Sequence, residues 1–109
     1  MNKEIQDRIQ FLREKIRHER TIIASLESQL KDSYMKQLIQ GASNTLDDVE
    51  DFFLGSLERE SRSPSAESNW IANAEFVFHQ LAVPQRQHVQ NIIEKYGPDV
   101  ISIPSPLVL

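Results

Sequence analysis

The chain has 109 residues, of which 39% are hydrophobic and 26% charged, with three glycines, five prolines and no cysteine. This composition is typical of one folded, helix-rich domain. It excludes disulfides and thiolate metal sites, and the formal net charge of -4 disfavours nucleic acid and anionic membranes as partners. Because the chain shows neither a signal-peptide pattern nor an apolar run long enough to span a bilayer, we expect a cytoplasmic protein.

The first predicted element is a long amphipathic helix from about residue 2 to about residue 40. Its apolar residues recur at the 4-3 spacing of a coiled-coil seam. Gly41 and the polar residues after it form the predicted stop signal, and a break at Asp32-Ser33 is the alternative. A helix of that length is too long for this chain to cover, so we predict a homodimer interface along its seam: Ile5, Ile9, Leu12, Ile16 and Ile23, interrupted by Glu19.

Charged residues in and beside this seam carry a second prediction. Glu19 occupies a core position, where a carboxylate needs a basic partner or an exit to solvent. Arg13 and Arg20 flank the seam and would meet like charges in a parallel homodimer. We therefore expect these two arginines to set the register of helix packing by pairing with carboxylates, which the second helix supplies.

The second half of the chain is expected to hold shorter elements. We predict a second helix over about 45–60, a linker over 61–68, a third helix over about 69–82 and a fourth over about 84–96. Pro84 suits the first turn of a helix and is expected to bend the chain after Val83. The prolines of the apolar segment 97–109 forbid helix, so we expect an extended tail packed on the domain or on a partner.

The third predicted helix is apolar on two sides. Its main stripe should face the core and includes Trp70, Ile71, Ala74, Val77, Phe78 and Leu81. The opposite side carries Phe76, His79 and Val83, which would leave apolar surface in water unless the tail or another chain covers it. We therefore predict that Phe76 and His79 take part in contact with a partner.

One short segment, His79-Gln80-Leu81-Ala82-Val83-Pro84, resembles the H-box of the phosphotransfer domains of sensor histidine kinases. The resemblance covers six residues and departs from the family pattern at Gln80, where that family has an acidic residue. It implies a phospho-accepting role for His79.

Taken together, these patterns predict an all-α helical bundle with a long N-terminal helix, three to four helices and an extended tail. The expected function is a non-enzymatic protein-protein interaction module that acts as an adaptor, regulator or inhibitor. We expect no catalytic residues, cofactor, metal site or small-molecule substrate, because no phosphate loop, nucleophile motif or metal-ligand spacing occurs. The alternatives are a nucleic-acid-associated factor using the basic stripe of the first helix, and phosphotransfer through His79.

Overall fold

The computed structural model describes residues 1–97, so the predicted tail lies outside the described residues apart from Gly97. The described chain is an all-α bundle measuring 54 × 25 × 19 Å, and these residues contain no strand. Its three long helices are α1 (Lys3–Gln29), α2 (residues 33–59, with a π-helical segment at Asp48–Leu54) and α3 (residues 64–96, with a π-helical segment at Phe78–Ala82).

The helices run up, down and up. Contacts between α1 and α3 pair residues that advance together along both helices, so these two helices are parallel. Contacts between α1 and α2 pair early residues with late ones, so that pair is antiparallel. The contacts that define the directions are Arg8 with Glu75, Arg86 with Glu19, Arg13 with Glu58, and Arg20 with Asp47.

The first helix ends at Gln29 and not near residue 40, which corrects the predicted boundary. Leu30 leaves the helix in an extended conformation and stays buried. Two residues on, the side chain of Asp32 accepts a hydrogen bond of 3.0 Å from the backbone N–H of Met35 and caps α2. Gly41 therefore lies inside α2, and the break falls at the alternative position, where no Gly or Pro marks it.

The predicted linker over 61–68 is also corrected, because α3 already begins at Pro64. The hydroxyl of Ser63 accepts a hydrogen bond of 3.2 Å from the N–H of Ala66, and Pro64 supplies a backbone angle that suits a first helical position. A Ser-Pro pair in a polar stretch thus starts a helix here.

The third and fourth predicted helices are one continuous helix that passes through Pro84. In a regular α-helix the proline ring clashes with the carbonyl four residues earlier. Here a π-helical segment precedes the proline, and the N–H of Val83 bonds to the carbonyl of Phe78, five residues back. The wider turn accommodates the proline without a break.

The π-helical segments also shift which residues face the core. Leu81 was predicted inward but is exposed, and its neighbour Ala82 is buried instead, because the preceding π turn holds one extra residue. In α2 the same effect places Val49 and Leu54, five positions apart, side by side in the core.

Candidate functional site

The seam of α1 faces the two other helices of its own chain. Its five predicted interface residues are each at most 5% exposed and belong to the core cluster. These side chains have no free surface for a second copy, so their assignment to an oligomer interface is corrected to the intramolecular core: Ile5, Ile9, Leu12, Ile16 and Ile23.

Arg13 and Arg20 both pair with carboxylates of α2, on the side of α1 away from α3. Arg20 donates to Asp47 at 2.9 Å and to Glu50 at 3.0 Å, and Arg13 forms an ion pair with Glu58. Burial opposes the charge of Arg20, but its hydrogen bonds to Asp47 and Glu50 and their negative charges together raise the pKa of its guanidinium above the usual value. Two arginines of the basic stripe of α1 are thus matched by acidic groups within the chain.

Glu19 is buried and finds its basic partner in Arg86 of α3. The guanidinium donates two hydrogen bonds to the carboxylate, at 2.8 and 2.6 Å, and a third at 2.8 Å to the side-chain oxygen of Gln90. The hydrogen bond with Glu19 raises the pKa of Arg86. Because both carboxylate oxygens of Glu19 accept hydrogen bonds from Arg86, this pair fixes the position of α3 along the axis of α1.

A groove of about 360 Å³ runs between α1 and α3 beside this pair, and we call it the α1–α3 groove. Its floor is formed by Phe78 and Glu19, both buried, and its sides carry apolar, basic and acidic groups. The remaining lining residues are Phe11, Glu14, Lys15 and His18 from α1, and His79 and Val83 from α3.

The groove wall is ordered by contacts among its own side chains. The ammonium nitrogen of Lys15 lies 4.5 Å from the centre of the Phe11 ring and 3.4 Å from Nε2 of His79. The His79 ring in turn meets the buried Phe78 ring edge to face, with centres 5.0 Å apart. These contacts connect an aromatic ring and an amine of α1 to an imidazole of α3 across the groove.

Two phenylalanines, one on α1 and one on α3, are largely exposed. Phe11 is 59% exposed on the α1 wall, and Phe76 is 66% exposed on α3. Phe76 precedes His79 by three residues, so both side chains project from the same side of α3, as the sequence predicts. The structure thus leaves both Phe76 and His79 exposed on α3, and of the two His79 lines the α1–α3 groove.

Sequence reasoning missed two residues of this site. Phe11 lies one position before the seam residue Leu12, and an aromatic residue just outside an apolar seam is the signal that marks it. Arg86 gave no such signal, because its partnership with Glu19 depends on how α3 is aligned with α1. That alignment follows from the continuous helix through Pro84, which the sequence did not predict.

Within residues 1–97 the structure shows no group of acidic or histidine side chains arranged to hold a metal ion. No helix in the same region is both long and apolar enough to cross a bilayer. Comparisons with protein-family models, with curated proteins and with solved structures found no match to this chain.

Proposed function

We propose that this chain is a non-enzymatic interaction module, an adaptor, regulator or inhibitor, that binds another polypeptide on the surface around the α1–α3 groove. The observation that carries the proposal is the exposure of Phe11, which lines a groove with an aromatic floor, together with the exposure of Phe76 on α3, three residues before the groove residue His79. Moving a phenylalanine side chain out of water contributes about 1.5 to 3 kcal/mol. Large aromatic groups of this kind dominate the energy of protein interfaces.

The polar groups of the groove support a protein partner. Lys15, His18 and His79 place donors around the apolar walls, and this arrangement is typical of an interface with an apolar centre and a polar rim. A partner segment with apolar side chains and a carboxylate beside them would meet both features. Binding through Arg13 and Arg20 to nucleic acid is less well supported, because both arginines already contact carboxylates of α2.

Phosphotransfer through His79 is a second candidate with one observation in its favour. The imidazole is exposed, and the Lys15 amine beside it is suited to balance the charge of a phosphoryl group. Incubation of the full chain with phosphoramidate, followed by mass spectrometry, tests this candidate. Acid-labile phosphate on His79 that is lost in His79→Gln supports it, and absence of phosphate on His79 contradicts it.

Site-specific photo-crosslinking in the native host tests the interaction surface. A benzoyl-phenylalanine replaces Phe11 or Phe76 in the full chain, and the matched control carries it at Tyr34, which is 51% exposed near the start of α2. The proposal predicts a discrete adduct with a second polypeptide from positions 11 and 76 and none from position 34. An adduct from position 34 alone would contradict it.

A further inference from the structure

We propose that a pocket at the start of α3 binds the guanidinium group of an arginine side chain from another polypeptide. The pocket lies between the end of α2 and the first turn of α3 and has a volume of about 270 Å³. The inference goes beyond the proposed function, because none of the residues that line this pocket lines the α1–α3 groove. Failure of either proposal would therefore leave the other in place.

The pocket contains a buried carboxylate without a partner. Glu67 is 7% exposed and lines the pocket, and within residues 1–97 no hydrogen bond or ion pair reaches its carboxylate. Its place in the first turn of α3 accounts for a negative charge, because a helix N-terminus attracts one. That place does not account for the burial, since a carboxylate removed from water without hydrogen bonds is costly. A cation that enters the pocket would offset this cost.

The two arginines that line the pocket are held by other groups. Arg62 forms an ion pair with Glu60 at 2.6 Å. Arg59 lies over Gly55, where its Nη1 atom is 2.7 Å from the position that a Cβ would occupy, so the absence of a side chain at Gly55 gives Arg59 its place on α2. Within the described chain neither guanidinium forms an ion pair with Glu67, and the carboxylate stays open to a cation from outside.

The open carboxylate selects the kind of cation. Besides Glu67 the pocket contains Glu58 and Glu60, and each of these already forms an ion pair with an arginine of the chain. A divalent metal ion needs several oxygen ligands, and the described residues hold no group of three or more acidic or histidine side chains suited to one. A guanidinium needs only the two oxygens of one carboxylate, which it meets with two parallel hydrogen bonds.

The size of the pocket favours a side chain over a whole ligand. Pockets that enclose drug-sized molecules measure about 300 to 1,000 Å³, and this pocket is smaller. An arginine side chain can enter it while the backbone that carries the arginine stays outside. Arginine is also enriched at protein interfaces and among the residues that contribute most to binding. The ligand that fits is therefore an exposed arginine of another polypeptide.

NMR titration of the purified, ¹⁵N-labelled full chain tests the inference with two short peptides at millimolar concentration and constant ionic strength. Acetyl-Gly-Arg-Gly-amide carries the guanidinium, and acetyl-Gly-citrulline-Gly-amide is its neutral counterpart of the same shape. We expect saturable shifts of the amide signals of Leu57, Ser61 and Glu67 with the arginine peptide and none with the citrulline peptide. Equal shifts with both peptides, or shifts with neither, would overturn the proposal.

Two variants assign the binding to the buried carboxylate. Glu67→Gln keeps the size of the side chain and removes its charge, and it should weaken binding of the arginine peptide about tenfold or more. The matched control Glu94→Gln removes an exposed carboxylate near the end of α3 and should bind the peptide as the parent chain does. Unchanged affinity in Glu67→Gln would overturn the proposal, and so would an equal loss in both variants.

Discussion

At the scale of single residues, Phe76 and Phe78 stand two positions apart on α3 and are 66% and 3% exposed. We expect Phe76→Ser to change the free energy of unfolding by about 0.5 kcal/mol or less, as for an exposed site. The matched variant Phe78→Ser should lower it by about 3 to 5 kcal/mol, because it empties a core position. Urea denaturation followed by circular dichroism measures both. Equal losses would assign Phe76 to the core and remove it from the proposed surface.

The Glu19–Arg86 pair gives a second prediction at this scale. Arg86→Met leaves a buried carboxylate without its partner, which typically costs about 3 to 5 kcal/mol. The double variant Glu19→Leu/Arg86→Met removes both charges and should recover most of that loss in urea denaturation. The control is Arg8→Met, whose pair with Glu75 is more exposed and should cost about 0 to 1 kcal/mol. A double variant less stable than Arg86→Met would contradict this account.

These residues also show what the sequence allowed us to predict. The need of Glu19 for a base and the pairing of Arg13 and Arg20 with α2 carboxylates follow from charge and helical position alone. Which base meets Glu19 depends on the alignment of two helices that are 67 residues apart in sequence at this contact. No local pattern carries that information.

At the scale of elements, Gly41 distinguishes the predicted helix boundary from the observed one: the sequence predicts that a helix ends there, and the structure places it in the interior of α2. It lies within α2 with a negative φ, and no atom lies within 4 Å of an added Cβ. Gly41→Ala should therefore raise the free energy of unfolding by about 0.5 to 1 kcal/mol. A helix that ended at this glycine in a left-handed conformation would instead be destabilised by alanine. The sign of the change in thermal or urea denaturation decides between the two boundaries.

The π-helical segment of α2 gives the second prediction for elements. Val49 and Leu54 are both buried although five positions apart, so the segment holds one residue more than a regular α-helix needs. Deletion of the exposed Asp51 should leave a continuous helix with the core in register, and the protein should unfold cooperatively with unchanged helix content. Deletion of the exposed Gln40 in the regular part of α2 should abolish cooperative unfolding, since it rotates all later residues by about 100°. Equal effects of the two deletions would contradict this interpretation.

The five-residue spacing between the apolar residues Val49 and Leu54 is visible in the sequence and indicates an irregular helical turn. The apolar positions of α2 follow the 4-3 rule from Met35 to Val49 and then miss it by one, which a regular helix cannot absorb. Periodicity thus predicted the helical class and most inward residues. It failed on Leu81 and on the boundary at Pro84, where a π turn changes the phase of the helix.

At the scale of the whole molecule, the correction to α1 changes the argument about self-association. A rod of 40 residues could not be covered by the remaining short helices, and this mismatch was the reason to predict a homodimer along the seam. The observed α1 has 27 residues, about 40 Å at 1.5 Å per residue, and α2 and α3 are at least as long. The two helices α2 and α3, of matching length, bury its seam within the chain, and the surface that we propose for contact with a partner is the one around the α1–α3 groove.

The most direct test of that proposal is quantitative co-purification from the native host with the full chain in three forms. These are the parent sequence, the double variant Phe11→Ser/Phe76→Ser and the control variant Tyr34→Ser, each checked for equal helix content. Loss of aromatic contacts worth about 1.4 kcal/mol or more lowers affinity about tenfold or more. We predict that the proteins enriched by the parent chain fall by about that factor with Phe11→Ser/Phe76→Ser and remain with Tyr34→Ser. Retention by the double variant, with loss in Tyr34→Ser, would contradict the assignment of the binding surface to the α1–α3 groove.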